Sequence, residues 1–214
     1  MLFFHKKKNI WKNSAKFWNE RYVNGGNSGA GSYNRLAEFK AKIINDFVNN
    51  NNIQTVIEWG CGDGNQLSLA NYPNYIGYDV SPQAIKLCKN KFKSDASKKF
   101  LCSESLFFKP ATAELSLSLD VIYHLVEDDV FDKYMKQLFA SSKKYIIIYS
   151  CNDTEPTVNA IHVRRRKFTQ WIEENVSKHW SLKEFIKNQY PFNADDPENT
   201  SWSDFYIYEK QFSC

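Results

Sequence analysis

No stretch of the chain approaches the roughly 18 consecutive apolar residues that cross a bilayer. The N-terminal MLFFHKKKNI places its lysines after a very short apolar piece, the reverse of a secretion signal. The expectation is a cytoplasmic protein with no membrane span. Paired cysteines are also missing. The five cysteines, Cys61, Cys88, Cys102, Cys151 and Cys214, are odd in number, far apart and without a CxxC, which argues against a zinc ribbon and a disulfide framework. Reduced, mostly buried thiols and no metal site are expected. Excess charge is scarce as well: the net charge is +4, much of it in residues 6–8 and 164–167, too little to indicate nucleic acid. No internal repeat is visible. What is present is a chain of 214 residues, 43% hydrophobic, enough to bury one sizeable core but not two.

Periodicity divides that chain. SAKFWNERYV, residues 14–23, puts Phe17, Trp18 and Tyr22 on one helical face, and NGGNSGAGS, residues 24–32, has no reason to be helical and reads as a mobile loop. Residues 1–32 are therefore expected to form an N-terminal helix and a flexible glycine-rich lid, with one domain over 33–214. Within that domain, Leu36, Phe39, Ile43, Ile44 and Phe47 repeat at the spacing of an amphipathic helix. Strand and helix then alternate: strands near 55–58, 75–78, 99–102, 115–119 and 145–150, and helices near 67–70, from Pro82 with Ser81 as cap, 130–141 and 167–176. Such alternation implies crossover connections and a parallel sheet covered on both faces. SLKEFIKNQ and DFYIYEKQF suggest an antiparallel hairpin at one edge.

VIEWGCGDG, residues 56–64, runs from a strand into three glycines at every second position. The dinucleotide fingerprint is GxGxxG, with a pyrophosphate at the helix N-terminus. Here the third glycine arrives one place early, and Glu58 and Asp63 put two carboxylates on the same turn. A pyrophosphate would meet like charge there; a cationic ligand would not. S-adenosylmethionine, with its sulfonium and ammonium and no phosphate, meets that description. Asp79, at the end of the next strand, can accept hydrogen bonds from both ribose hydroxyls, a property it would share in a nicotinamide enzyme.

These segments resemble the class I S-adenosylmethionine-dependent methyltransferases. VIEWGCGDG is similar to their first motif, YIGYDVSPQAIKLC to the second, LSLSLDVIYHLVEDDVFDKYMKQLF to the fourth, and KYIIIYS to the fifth strand, over about residues 33–212. The resemblance implies a Rossmann-like, doubly wound α/β sheet of seven mostly parallel strands with a reversed edge strand. It also implies Gly60, Gly62 and Gly64 under the methionine part, Glu58 near its ammonium, Asp79 on the ribose, Val80 beside the adenine and Asp120 beside the cofactor. FLCSESLFF lacks the acid of the third motif, leaving Ser103 or Glu104 for the adenine amino group. FWNERYVNGGNSGAGSYNRLAEFKA is similar to the N-terminus of bacterial methyltransferases of surface polysaccharide or glycoconjugate synthesis. In that likeness Tyr33 and Arg35 close over the cofactor, Arg35 as partner of the methionine carboxylate.

The acceptor side has its own candidates. Methyl transfer is an in-line displacement that needs alignment, dryness and, for a hydroxyl, a base. His124 lies just past a strand end, where parallel sheets place ligands, and imidazole titrates near working pH; Tyr123 is the weaker candidate base. Trp18, Tyr22 and Tyr33 can roof the cofactor or stack on a sugar ring. HVRRRKFTQW offers His162, Arg164, Arg165 and Arg166 as a clamp for a phosphate or carboxylate. The expectation is methylation at oxygen of a small anionic or glycan-linked acceptor, such as a phosphorylated sugar, a nucleotide-linked precursor or a capsular phosphoramidate. A protein or RNA acceptor is the alternative, although no Asn-Pro-Pro-Tyr-like sequence follows the fourth strand. A nicotinamide oxidoreductase is disfavoured by GCGDG and Glu58, and a binding protein without turnover by His124 and the arginines.

Overall fold

A computed structural model describes residues 11, 13–103, 110–156 and 160–211. Glu104 and Cys214 lie outside them. The first helix, α1 (Ser14–Val23), is capped by Asn13, whose side chain accepts the Lys16 N–H, and α2 (Asn34–Asn50) follows. The remaining elements are β1 (Thr55–Trp59), β2 (Asn74–Asp79), α3 (Pro82–Lys91), β3 (Lys98–Cys102), β4 (Ala113–Leu119), α4 (Asp128–Ala140), β5 (Ser142–Ser150), α5 (Phe168–Asn175), β6 (Trp180–Ile186) and β7 (Asp204–Lys210).

The strands form one seven-stranded sheet in the order β3-β2-β1-β4-β5-β7-β6. β1 to β5 pair in parallel, and β7 runs antiparallel to both neighbours. This is the α/β, doubly wound sheet expected, with its antiparallel hairpin at one edge. The reversed strand lies inside that edge and β6 is outermost, with most of its side chains exposed. Order reverses between β1 and β4, so a crevice opens at their carboxyl ends, the ligand-binding position of open α/β sheets.

Each face of the sheet buries its own cluster. Ile44, Phe47, Leu115, Leu117, Ile147 and Phe205 pack on the α2 and α3 side. Trp59, Met135, Leu138, Ile146, Ile148 and Phe168 pack beneath α4 and α5. Ile146, Ile147 and Ile148 are wholly buried on alternating faces, each contributing about 1.5–3 kcal/mol of transfer energy. At α3, Ser81 Oγ accepts the Ala84 N–H at 3.1 Å and Pro82 opens the first turn, as the sequence indicates. One expectation fails: no α-helix forms near 67–70. A single 3₁₀ turn, Gln66–Leu69, joins the glycine turn to β2. Only the residues between Gly64 and β2 were free to build it, and Pro73 closes that space.

No helix among the described residues is long and apolar enough to cross a membrane. Cys61, Cys88, Cys102 and Cys151 are free thiols.

Candidate functional site

The glycine turn is held from below by β2. The N–H groups of Gly60 and Cys61 both donate to the Tyr78 carbonyl, at 2.7 and 3.0 Å, and Gly62 N–H donates to Asp79 Oδ2 at 2.9 Å. The turn needs left-handed backbone, φ +85° at Gly60 and +56° at Gly62, and it also needs space. A Cβ on Gly60 would lie 2.5 Å from Val121 Cγ2, and one on Gly62 would lie 2.3 Å from Ser28 Oγ. Glycine is required on both counts.

Above the turn lies a cavity of about 670 Å³ at the carboxyl ends of β1, β2 and β4, roofed by α1 and residues 24–32. Gly60, Gly62, Glu58, Asp79, Val80 and Ser103 line it. So do Tyr22, Asp120 and His124. Gly64 shapes the turn from behind, where a Cβ would meet Phe92 and Cys88.

Among the described residues, the two acids at the floor are buried and in no ion pair. Burial pushes Glu58 up to about 7, against a 2.5 Å hydrogen bond from the Tyr75 hydroxyl and the pull of Lys40. Burial likewise raises Asp79 to about 6, although Ser81 N–H and Gly62 N–H donate to its two oxygens. Such sites gain from a ligand that brings positive charge or hydroxyl donors.

Residues 28–33 are tied to the turn through Asp63. Its carboxylate accepts the Ser28 N–H (2.9 Å), the Tyr33 hydroxyl (2.8 Å) and the Asn65 N–H (2.9 Å), while Asp63 N–H donates to Ser28 Oγ (3.0 Å). Burial and the bond to Asp63 raise the Tyr33 phenol to about 12. Tyr22, also raised by burial, has its hydroxyl 3.0 Å from Ser28 Oγ. Tyr33 thus fastens this segment to the turn and does not line the cavity. The lid is largely irregular, with a single 3₁₀ turn at Ala30–Ser32.

Several candidate residues have other occupations. Arg35 turns away from the cavity: its Nε donates to the Asn199 carbonyl at 2.7 Å, its guanidinium pairs with Asp196 at 3.2 Å, and it lies over the Tyr190 ring. Tyr123 donates its hydroxyl to Asp120 Oδ1 at 3.0 Å, and burial raises it far above the range of a useful base. Asp120, in left-handed backbone at φ +58°, also accepts the Ser203 hydroxyl and a 2.6 Å ion pair from Lys40. Its carboxylate is thereby committed to the protein.

The arginines are committed too. Arg164 and Arg166 both pair with Asp128, at 2.9 and 2.7 Å, and donate to the Val126 carbonyl; Arg166 also donates to the Leu125 carbonyl. Arg165 pairs with Asp153 beneath Trp202. They line a separate groove and pin residues 164–167 against the start of α4. The arginines of the expected anion clamp are all engaged by acids of other segments in this structure, which gives them a fastening role.

His124 keeps its place in the cavity. Its Nδ1 lies 3.0 Å from the His162 carbonyl oxygen, which only accepts, so Nδ1 carries the proton and Nε2 keeps its lone pair. Burial drives the imidazole down to about 4, so it is neutral at working pH. Trp18 meets it edge-on at 4.7 Å, and His162 stacks between His124 and Phe17. His162 acts here through its backbone carbonyl and its ring stacking.

Among the cavity residues that escaped the sequence reading, two are buried polar groups, one on α2 and one just after the glycine turn. Lys40 sits four residues from both Leu36 and Ile44, on the buried stripe of α2, and is wholly buried. A charge interrupting an apolar stripe was the signal for it. Gln66, also buried, follows the glycine turn with no pattern to mark it. Among the described residues, no His, Cys, Asp and Glu side chains are grouped to hold a metal ion.

The comparisons agree with this geometry. Residues 57–145 match the family described as a methyltransferase domain. N-methyltransferase NodS from Bradyrhizobium japonicum WM9, solved with S-adenosylhomocysteine, superposes with a TM-score of 0.68 at 14% identity, over 94% of this chain and 100% of NodS. Magnesium protoporphyrin IX methyltransferase from Synechocystis PCC 6803 gives 0.65 at 13% identity, over 93% and 96%. The methyltransferase domain of a bacterial Hen1, CtHen1-C, gives 0.60 at 17% identity, over 79% and 96%. No curated protein sequence matches the chain. At these identities the solved structures share the fold alone, and the matched methyltransferase domain covers residues 57–145; together they support S-adenosylmethionine-dependent methyl transfer as the activity.

Proposed function

We propose that the enzyme methylates an oxygen of a small or glycan-linked acceptor, with His124 as the proton acceptor. One observation carries this reading: a neutral imidazole, its tautomer fixed by the His162 carbonyl, faces the same cavity as Glu58 and Asp79. In this reading Glu58 faces the positive part of the cofactor, Asp79 takes the ribose hydroxyls, and Val80 and Ser103 flank the base. Bound S-adenosylmethionine supplies a methyl group on a sulfonium, open to in-line displacement.

The chain's own groups do the rest. Trp18, Tyr22 and the lid exclude water, Tyr22 and Ser28 cover Gly62, and His124 Nε2 takes the hydroxyl proton as the acceptor oxygen forms its bond to carbon. At the outer end the cavity offers Trp18, Asp129, Lys133 and Gln137. An aromatic face with mixed polar groups suits a sugar ring. Because Lys133 is accompanied there by Glu127 and Asp129, the hydroxyl-bearing part of the acceptor is better supported than a phosphate, and the place of the product in capsule or glycoconjugate synthesis follows only from the N-terminal likeness.

The test is S-adenosylhomocysteine release across sugars, sugar phosphates, nucleotides, peptides and short RNAs, repeated with His124→Gln. Turnover on sugar hydroxyls that falls in the variant, with S-adenosylhomocysteine binding retained, is the expected result. Turnover on peptides or RNA alone, or an unchanged variant, would sink the reading.

A further inference from the structure

With Arg35 bound to Asp196 and Asn199, no arginine faces the cofactor end of the cavity. Among the described lining residues the cations are Lys40 and Lys133, and Lys133 belongs to α4 at the other end. Lys40 enters from α2 with no exposed surface. Its ammonium has three protons; one reaches Asp120 Oδ2 at 2.6 Å and the Tyr149 ring face lies 5.2 Å away. Asp120 does not depend on Lys40 alone, since the hydroxyls of Tyr123 and Ser203 already donate to its other oxygen, each at 3.0 Å. A buried ammonium with unspent donors, beside a cavity, selects an anion.

The second observation is independent. Gln66 Nε2 donates to the Ala37 carbonyl at 3.0 Å, and because a carbonyl only accepts, the amide orientation is fixed. Gln66 Oε1 is then a buried acceptor with no partner, in a side chain that lines the cavity. Buried acceptors are left open only at a cost, which a ligand's donor relieves. Ala37 and Lys40 are one helical turn apart on α2, so the open acceptor and the buried cation are carried by the same face of one helix.

An anion-seeking group and a donor-seeking group on the same helix face match the two ends of an α-amino acid. We infer that Lys40 binds the carboxylate of the cofactor's methionine portion and Gln66 Oε1 accepts from its ammonium, which Glu58 also attracts. The inference rests on the S-adenosylmethionine reading and adds the residues that recognise the amino-acid end. It also replaces Arg35 in that role.

The experiment is calorimetry with three probes: S-adenosylhomocysteine, its decarboxylated analogue 5′-deoxy-5′-(3-aminopropylthio)adenosine, and 5′-methylthioadenosine, which lacks the whole amino-acid end. In the wild type, removing the carboxylate weakens binding by about 10- to 100-fold, the range of a charge-assisted hydrogen bond. In Lys40→Met that penalty shrinks to about twofold, while 5′-methylthioadenosine binds as in the wild type. In Gln66→Leu the advantage of the aminopropyl analogue over 5′-methylthioadenosine shrinks to the part that Glu58 supplies, and an unchanged advantage overturns the role given to Gln66. If Lys40→Met fails to fold, the wild-type analogue series and Lys40→Arg decide, the arginine restoring most of the carboxylate penalty. An equal carboxylate penalty in wild type and variant, or none in the wild type, overturns the inference alone. Failure of all three adenosine probes to bind the wild type overturns the cofactor reading and this inference with it.

Discussion

The glycine turn and the arginine segment both gather charge at the carboxyl edge of the sheet, yet the protein treats them in opposite ways. Glu58 and Asp79 are buried, and burial raises both to within reach of neutral pH. Arg164, Arg165 and Arg166 are each matched by Asp128 or Asp153. The first region keeps acids that burial has raised and that a ligand can relieve; in the second, Asp128 serves two arginines and Asp153 the third, and the unmet need is a single buried donor, Arg165 Nε. Density of charge in a sequence therefore says little about binding until its internal partners are known.

Four experiments press on this contrast. The largest effect is expected at the reacting end: His124→Gln lowers kcat by about 10²- to 10⁴-fold with little change in S-adenosylhomocysteine affinity, read by steady-state kinetics and calorimetry. Because the imidazole lies near 4, the wild-type rate shows no limb near pH 6.5 from this group, and such a limb assigned to His124 would contradict its buried, neutral state.

Next comes Glu58. A carboxylic acid raised from 4.5 to about 7 binds more protons folded than unfolded across that window, so its contribution to stability is full below pH 4.5 and is lost as pH rises through 7. Glu58→Gln removes that slope and leaves the ligand-free protein more stable at pH 8 by up to about 3 kcal/mol. Urea denaturation at pH 5 and pH 8 measures it, and parallel pH slopes would refute it. Cofactor affinity should move the other way, rising in the wild type as pH passes 7, since a cationic ligand favours the ionised carboxylate.

Gly60→Ala tests the turn itself. Left-handed backbone and the contact with Val121 should cost about 1–3 kcal/mol and weaken S-adenosylhomocysteine binding. The smallest effect belongs to the arginine segment: Arg164→Ala, with its half-exposed pair, should change stability by no more than about 1 kcal/mol and leave acceptor KM unchanged. A KM raised tenfold would restore the anion clamp and erase the contrast.

Legibility followed the range of the interactions. The sheet, the glycine turn and Asp79 could be read because they are fixed by local periodicity and by a turn only a few residues long. The arginines were misread because their partners lie far away in the chain: Arg166 meets Asp128 across 38 positions, and nothing near HVRRRKF marks that pairing. Arg35 was misread for the same reason, its partner Asp196 lying 161 positions on. Lys40 was legible in principle, as the one charge on the buried stripe of α2, but a helical pattern alone cannot say whether such a lysine is paired or faces a ligand. The short 3₁₀ turn after the glycines shows the limit of alternation: strand and helix follow one another only where enough chain is left to build the helix.

Asp63 ties residues 24–33 to the glycine turn through several bonds at once. Desolvation raises its pKa, but the N–H groups of Asn65 and Ser28 and the hydroxyls of Tyr33 and Ser28 more than reverse this, so the carboxylate stays ionised well into acid. Lifting residues 24–33 off the glycine turn breaks the Ser28 and Tyr33 bonds together. Cooperative rupture is rarer than the loss of any single bond. A single side chain of the glycine turn thereby sets how firmly residues 24–33 are held against it.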